Sequence, residues 1–336
     1  MKRHIQKLEF YITNVCNLAC PNCNRFNDHN FRGHQLWQDY EKDYQEWGRK
    51  LDTPALVILG GEPLLNPTIC DWIRGLNRCF GNNVQVLTNG TRLNKTPGLY
   101  EALASHSDGY YTNWIGISIH NTNDLPRYIA EAKQFLKGHI KEYHGKHTRD
   151  HTGHPISAGA DYTFIDENKL SVRLWIQDSF YPAAVHRGPP VHVDGEWSRA
   201  VYRWKTRRPP AFDDGKWKPG ALTVYNNDPE LAHAACGFVQ WKNYHMIRGR
   251  LHKCGPCVLM AEFDEQNPLD ITPQDREIMR SYQPLSPWAD DKTTDSFFKN
   301  LDSVIPQCKF CPTQAQMQNT TIAARLKKKG STGTFG

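Results

Sequence analysis

Three cysteines stand close together near the start of the chain, in the order Cys16-x3-Cys20-x2-Cys23. An apolar run from Leu8 to Ile12 precedes them, and its β-branched and aromatic residues predict a strand. The cysteines therefore follow the carboxyl end of a first strand. Closed zinc and iron–sulfur sites use four protein ligands. Three thiolates are one ligand short, and this predicts a metal site with one position open.

A second motif, Gly60-Gly61-Glu62-Pro63, directly follows the second predicted strand, Ala55 to Leu59. That strand is apolar throughout, as in parallel sheets that are buried on both faces. The glycines allow the backbone to approach a ligand closely. On its own the tetrapeptide would be an ordinary tight turn. Its position matters, because an amphipathic helical pattern over 37–51 separates it from the cysteines, giving a strand–helix–strand unit.

The two motifs together resemble the radical SAM superfamily. The resemblance implies a 4Fe–4S cluster on the three cysteines, whose open iron chelates S-adenosylmethionine. The reduced cluster would split this cofactor into methionine and a 5′-deoxyadenosyl radical, which abstracts a substrate hydrogen. In the family, the segment equivalent to 60–63 meets the methionyl ammonium, and Glu62 would supply a compensating negative charge. The alternatives are a structural zinc knuckle or three unrelated thiols. One departure is Asn22, where many members carry an aromatic residue.

Strands and helices continue to alternate beyond the second motif. The periodicity predicts helices over 69–80, 100–104 and 125–136, the last capped by Asp124, and strands over 84–87, 114–119, 161–165 and 170–176. This alternation predicts an α/β fold, a parallel sheet curled as a partial (β/α)6 TIM-like barrel.

Ligands in such barrels bind at the carboxyl ends of the strands. The segment 60–63, Asn89 and Ser118 fall there and are predicted to bind the cofactor. Arg173 alternates with apolar neighbours, so it could face the barrel interior. In relatives a basic residue from a late strand often pairs with the cofactor carboxylate, and this makes Arg173 a further candidate.

Five more cysteines lie in the C-terminal third of the chain: Cys236, Cys254, Cys257, Cys308 and Cys311. A hairpin of 238–241 with 245–247 is predicted between the first two. Together with Gly249 in a Gly-x4-Cys pattern, they resemble the SPASM/twitch auxiliary domains of radical SAM enzymes. The resemblance to single-cluster members implies one auxiliary 4Fe–4S cluster on Cys236, Cys254, Cys308 and Cys311, with Cys257 unassigned. The competing interpretation is a zinc ribbon that pairs Cys254-x2-Cys257 with Cys308-x2-Cys311.

The stretch from His186 to Lys218 shows no periodicity. Eight Lys and Arg stand there against four acids, with aromatic residues between them. This mixture suits an unpaired nucleic-acid strand, because basic side chains bind phosphates and aromatic faces stack on bases. The alternative is a connecting segment with solvated arginines. Upstream, five histidines over 139–154 suggest a polar loop near the substrate mouth or, less simply, a metal site.

The 336 residues are enough for one large domain and a smaller one. We predict a barrel over 1–185, a connecting segment over 186–230, an auxiliary-cluster domain over 231–315 and a disordered tail over 316–336. The longest apolar run is too short to cross a bilayer. Clustered cysteines fit metal sites in a reducing cytoplasm. The net charge of +6 is mild.

The predicted function is hydrogen abstraction by a radical SAM enzyme, of oxidoreductase or isomerase/maturase type. Its substrate would be a nucleic acid or modified nucleotide, a peptide or a small molecule. Its electron would come from an external flavodoxin- or ferredoxin-like reductant. The auxiliary cluster would accept an electron or bind substrate. The alternative from another class is a non-catalytic iron–sulfur or zinc-stabilised nucleic-acid-binding module, against which the intact 60–63 motif argues.

Overall fold

The computed structural model describes most of the chain. The described residues are 2–18, 25, 31–107, 112–119, 122–146, 159–176, 222–236, 239, 242–313 and 315, with the backbone of short strands between 191 and 218. The predicted tail over 316–336 lies outside them, as do Cys20, Asn22 and Cys23.

Within these residues a mixed sheet of nine strands forms the centre of the molecule. Its strands are β1 (Lys7–Tyr11), β2 (Leu56–Leu59), β3 (Val84–Thr88), β4 (Trp114–Ile119), β5 (Lys141–His144), β6 (Tyr162–Ile165), β7 (Ser171–Ile176), β8 (Asn243–Ile247) and β9 (Arg250–His252). Their order across the sheet is β9-β8-β1-β2-β3-β4-β7-β6-β5. The six neighbours from β8 to β7 are parallel, whereas β9, β6 and β5 run antiparallel at the edges.

The described helices are α1 (Trp37–Lys50), α2 (Ile69–Phe80), α3 (Leu99–Ala104), α4 (Leu125–Phe135), α5 (Pro229–Ala234), α6 (Gly255–Gln266), α7 (Pro273–Arg280) and α8 (Asp291–Lys299). Short 3₁₀ turns lie at Pro63–Leu65, Leu93–Lys95, Thr122–Asp124 and Pro306–Phe310. Arg3–His4 pairs in parallel with Leu51–Asp52. Within the described residues, no helix combines the length and apolarity that a membrane span requires.

The sheet is buried on both faces, because neighbouring residues of each strand point to opposite sides. On one face Phe10 and Ile58 join a core with the aromatic residues of α1 and α2, such as Trp47 and Trp72. On the other face Tyr11, Val57 and Leu59 pack with Leu259, Met260 and Phe263 of α6. A C-terminal helix therefore covers the face of the sheet that α1 and α2 leave open. β2 is apolar throughout because both of its faces are buried.

Most predicted elements of the first 176 residues are confirmed to within a few residues. Asp124 precedes α4 as predicted, but its side chain makes no capping hydrogen bond. The predicted polar loop over 139–154 is wrong in its first part, because Lys141–His144 pairs with β6 as an edge strand. An exposed edge strand carries polar side chains on both faces, so its sequence lacks the alternation that identifies a half-buried strand.

The predicted hairpin between Cys236 and Cys254 is also wrong in its pairing. Its strands are β8 and β9, joined by a two-residue turn at Arg248 and Gly249. Both turn residues have positive φ, 50° and 67°, as type I′ turns require. Of residues 238–241 the structure describes only Val239, in a helical conformation. β8 instead pairs in parallel with β1, a contact between distant parts of the chain that no local pattern shows.

The stretch without periodicity contains short backbone strands. Val191–Val193, Glu196–Ser198, Trp204–Thr206 and Leu222–Val224 form a four-stranded sheet, and Ala211–Asp213 pairs with Lys216–Lys218. The side chains predicted to contact nucleic acid lie outside the described part of the structure.

Candidate functional site

The two N-terminal motifs are bonded to each other through their backbones. The Gly61 N–H donates to the Thr13 carbonyl at 2.7 Å, and the Glu62 N–H donates to the Val15 carbonyl at 2.8 Å. Gly60 permits this approach, because a Cβ at that position would lie 2.6 Å from the Thr13 carbonyl oxygen. The loop that leads into Cys16 is therefore held directly against the end of β2.

Glu62 is fully buried, and its carboxylate accepts hydrogen bonds from groups of the protein itself. It accepts hydrogen bonds from the Leu64 N–H at 2.9 Å, the Thr88 hydroxyl at 2.6 Å and the Asn89 N–H at 2.7 Å. Burial raises the pKa of Glu62, and these three donors act in the opposite direction. The carboxylate thus clamps the loop after β2 to the end of β3. This role for Thr88 was not predicted from the sequence.

A polar network links the end of β3 to the first cysteine. The Asn89 amide donates to the Asn17 side-chain oxygen at 3.0 Å and lies 3.9 Å from the Cys16 sulfur. Thr91 bonds both Asn17 and Asn89, at 2.7 Å in each case. The Leu18 N–H also donates to the Cys16 sulfur, at 3.4 Å. N–H donors around a sulfur favour its thiolate, which is the form that binds metal. These surroundings fit Cys16 as a cluster ligand.

The other predicted residues of this site fall at different depths. Ser118 lies near the carboxyl end of β4, where its register partner is Trp175. Arg173 pairs with Gly116 one layer below. It lies on the α6 side of the sheet, is buried, and places its guanidinium 4.0 Å from the centre of the Trp114 ring. The structure thus brings together Gly60–Pro63, Asn89 and Cys16, with Ser118 and Arg173 on neighbouring strands.

The C-terminal cysteines lie on three elements that are distant in sequence. Cys236 follows α5, Cys254 is the N-cap residue of α6, and Cys308 lies in the turn Pro306–Phe310, against which α5 packs. Burial raises the pKa of Cys308 to about 11, and the nearby sulfurs of Cys254 and Cys236 add to that rise. The sulfurs of Cys254 and Cys236 are thus close enough to Cys308 to influence it electrostatically. Grouped thiols at a helix N-terminus are suitable metal ligands.

The remaining two cysteines of this region, Cys311 and Cys257, lie three residues after Cys308 and Cys254, respectively. Cys311 follows Cys308 in a tight turn, its N–H donating to the Cys308 carbonyl at 3.0 Å. Cys257 is buried in the first turn of α6, and its sulfur influences Tyr282. Across the described residues, no group of three or more Cys, His, Asp or Glu side chains is already gathered around a metal-sized position. The choice of ligands therefore stays a prediction.

A buried hydrogen bond between Glu9 and His245 joins the two regions. Glu9 on β1 lies 3.2 Å from the imidazole of His245 on the neighbouring β8, and Lys7 and Arg25 lie at 3.0 and 3.8 Å from the same carboxylate. The other ring nitrogen of His245 accepts the N–H of Gly255, which follows Cys254. Burial alone would raise the pKa of Glu9, but the histidine, lysine and arginine outweigh it and hold that pKa well below its usual range.

Comparison with known families now identifies the first region. Residues 10–152 match the family model of the radical SAM superfamily. The radical SAM domain that the motifs predicted for this part of the chain is confirmed. A curated relative, the probable GTP 3′,8-cyclase of Methanocaldococcus jannaschii, is 29% identical over 127 residues. The match spans 36% of this chain and 38% of that relative, well under half of its length.

Solved structures resemble the chain only weakly. The structure of Streptococcus suis SuiB bound to S-adenosylmethionine is 20% identical, with a TM-score of 0.32, covering 39% of this chain and 31% of SuiB. SuiB bound to the precursor peptide SuiA is 21% identical, with the same TM-score and 39% and 30% coverage. At these scores the likeness says nothing about a shared substrate.

Proposed function

We propose that this protein is a radical SAM enzyme in which Cys16, Cys20 and Cys23 hold a 4Fe–4S cluster. When bound, the cluster and S-adenosylmethionine supply a 5′-deoxyadenosyl radical that abstracts a hydrogen from the substrate. The observation that supports this proposal most is the backbone junction between Thr13–Val15 and Gly61–Glu62, which sets the two family motifs side by side.

The residues around this junction take distinct parts in the proposal. Because the Glu62 carboxylate is bonded internally, the segment 60–63 would meet the cofactor through its backbone, and Glu62 would hold that backbone in shape. Asn89, beside Cys16, would bind the cofactor with its amide. Ser118 and Arg173 stay candidate contacts from the neighbouring strands β4 and β7. Arg173 would meet an anionic group such as the cofactor carboxylate.

The proposal includes one auxiliary 4Fe–4S cluster on Cys236, Cys254, Cys308 and Cys311. The electrostatic proximity of three of these sulfurs supports it. The zinc ribbon leaves out Cys236, which is one of those three. An auxiliary cluster would accept an electron from the substrate radical or bind the substrate. The electron for the N-terminal cluster would come from a flavodoxin- or ferredoxin-like protein.

The name of the curated relative gives the substrate proposal its direction. That protein is described as a probable GTP 3′,8-cyclase. Nucleotides are therefore the first substrate class to test here, followed by single-stranded nucleic acid, peptides and small molecules. Nucleobases would stack on the aromatic side chains of the segment 186–218, and its basic side chains would bind phosphates.

The main test is anaerobic reconstitution of the full chain, followed by chromatography for 5′-deoxyadenosine. The wild type should form it with a strong reductant, and the Cys16→Ala, Cys20→Ala, Cys23→Ala triple variant should not. The matched control is the double variant Cys70→Ala, Cys79→Ala. These two thiols are partly buried and pack against the core formed with α1 and α2. Undiminished 5′-deoxyadenosine from the triple variant would end the proposal.

Metal content tests the auxiliary site separately. Two 4Fe–4S clusters correspond to about eight irons per chain, and the triple variant should keep about four. Zinc in place of iron in that variant would favour the ribbon. Such a result would leave the proposal for the N-terminal cluster unaffected.

A further inference from the structure

Lys253 is a buried lysine whose ammonium group finds no hydrogen-bond acceptor within the described part of the chain. The residue is 6% exposed, and its ammonium nitrogen has no hydrogen-bond partner among the described residues. Charged lysines are almost never fully buried unless they are paired. The position therefore requires a negative charge that the described side chains do not provide through a hydrogen bond.

The carboxylate that influences Lys253 electrostatically already has other hydrogen-bond partners. Asp302 is an electrostatic neighbour of Lys253, but its two oxygens accept hydrogen bonds from Lys242 and from the Tyr244 hydroxyl. Burial lowers the pKa of Lys253, and besides Asp302 the groups that act in the opposite direction are the sulfurs of Cys308, Cys254 and Cys236. These are three of the four cysteines proposed to hold the auxiliary cluster.

The backbone around Lys253 explains its placement. Lys253 follows β9 and precedes Cys254, and its N–H donates to the Tyr282 hydroxyl at 2.9 Å. It also borders a cavity of about 360 Å³ together with Ile305, Pro306 and Gln307, the residues that lead into Cys308. The side chain therefore lies between the two segments that carry Cys254 and Cys308. No carboxylate borders this cavity among the described residues.

We propose that Lys253 holds its ammonium against the auxiliary cluster and stabilises the reduced state of that cluster. The inference rests on the auxiliary cluster proposed above. Four thiolates and a 4Fe–4S core carry a net negative charge, which grows by one when a one-electron reductant reduces the cluster. No bond forms or breaks, and the ammonium keeps its proton. A fixed positive charge at short range favours the more negative state, so Lys253 raises the midpoint potential.

The test is a potentiometric titration followed by electron paramagnetic resonance. It uses the full chain with the Cys16, Cys20 and Cys23 substitutions to alanine, so that only the auxiliary cluster contributes. Lys253→Met should shift the midpoint potential to more negative values, whereas Lys253→Arg should keep it near that of the parent. The matched control is Lys242→Met, which removes a half-exposed lysine from the same region.

The outcomes separate this inference from the proposal beneath it. An unchanged midpoint potential in Lys253→Met, at about four irons per chain, would overturn the role of Lys253 and leave the auxiliary cluster standing. A parent protein that holds zinc and no iron would overturn both. If Lys253→Met loses its iron while Lys253→Arg keeps it, the charge is needed next to the sulfurs, which supports the inference. Loss of iron in both variants would contradict it.

Discussion

The two cysteine regions of this protein are built in different ways. Around Cys16 the partners are close along the chain or on adjacent parallel strands, and they bond through backbone groups and neutral amides. Around Cys254 the partners Cys236 and Cys308 come from two further segments, 18 and 54 residues away, and the buried Lys253 is an electrostatic neighbour of all three sulfurs. The first region is therefore held together at the carboxyl edge of the parallel sheet. The second depends on the packing of α5, α6 and the turn at 306–310.

The difference teaches how each region can fail. Parallel strands bring their carboxyl ends to one edge, so the first region assembles whenever the sheet does. The second region assembles only if the hairpin β8–β9 docks beside β1. The hydrogen bond between Glu9 and His245 spans that seam, since it joins β1 to β8.

The largest expected effect is on this seam. Glu9→Gln removes a carboxylate that is 5% exposed and leaves Arg25, whose side chain is 12% exposed, without its anionic partner, which should cost about 3–5 kcal/mol of unfolding free energy at neutral pH. Glu142→Gln, which loses an exposed ion pair with Lys133, is the matched control and should change little. Urea denaturation measures both. A loss below 1 kcal/mol in Glu9→Gln would mean that the pair does not hold the two regions together.

The same carboxylate predicts a pH dependence. Its pKa in the folded protein lies below the ordinary value of 4.5, so the stabilisation is fully present above that pH. It is lost as the pH falls through 4.5 towards the depressed pKa, because the unfolded chain binds the proton first. The unfolding free energy of the wild type should fall in this window more steeply than that of Glu9→Gln. Parallel curves for the two proteins would contradict the assignment.

The next effect tests the close contact between Gly60 and Thr13 in the first region. Gly60→Ala would place a Cβ 2.6 Å from the Thr13 carbonyl and push the cysteine loop away from β2. A displacement of this size should lower 5′-deoxyadenosine formation on the order of 10²-fold, while the auxiliary iron stays bound. Gly81→Asn is the control, because that glycine has open space around it and a left-handed conformation that asparagine tolerates. Equal activities of the two variants would show that the approach is not critical.

A smaller effect is expected at the buried clamp. Glu62→Gln keeps the shape of the side chain but turns an amide group towards one of its three donors, which should cost about 2 kcal/mol of unfolding free energy. The control is Glu101→Gln on α3, whose side chain is 60% exposed and loses only an exposed ion pair with Lys137, so stability should stay unchanged within error. If Glu62→Gln unfolds at the same urea concentration as the wild type, the carboxylate does not stabilise the fold. A direct contact between Glu62 and the cofactor would then be the better interpretation.

The smallest effect lies within the C-terminal region. Arg276 binds the buried Asp264 through two nitrogens, at 2.7 and 3.1 Å, and also bonds the Leu269 carbonyl. Arg276→Met should cost about 1 kcal/mol of unfolding free energy. Arg280, 3.6 Å from the same carboxylate and half exposed, provides the control Arg280→Met with no measurable cost. Equal thermal midpoints for the two variants would place the stability of this region elsewhere.

The sequence by itself determined the elements and the family. Hydrophobic periodicity is a local property, so it located β1 to β4 and α1 to α4, and it placed both motifs after strands. The motif spacing identified the radical SAM domain, which the match over 10–152 confirms. The same periodicity failed at Lys141–His144, because an exposed edge strand need not alternate.

Only the tertiary structure decided how distant segments meet. It paired β8 with β1, covered one face of the sheet with α6, and turned the Glu62 carboxylate inward to Thr88 and Asn89. It also buried Lys253 beside the sulfurs of Cys236, Cys254 and Cys308. Such contacts depend on which segments pack together in space, and a residue's neighbours along the chain carry little of that information. Thr88, Asn17 and Lys253 each stand beside a residue that the sequence had singled out, but their burial and partners follow from the tertiary structure alone.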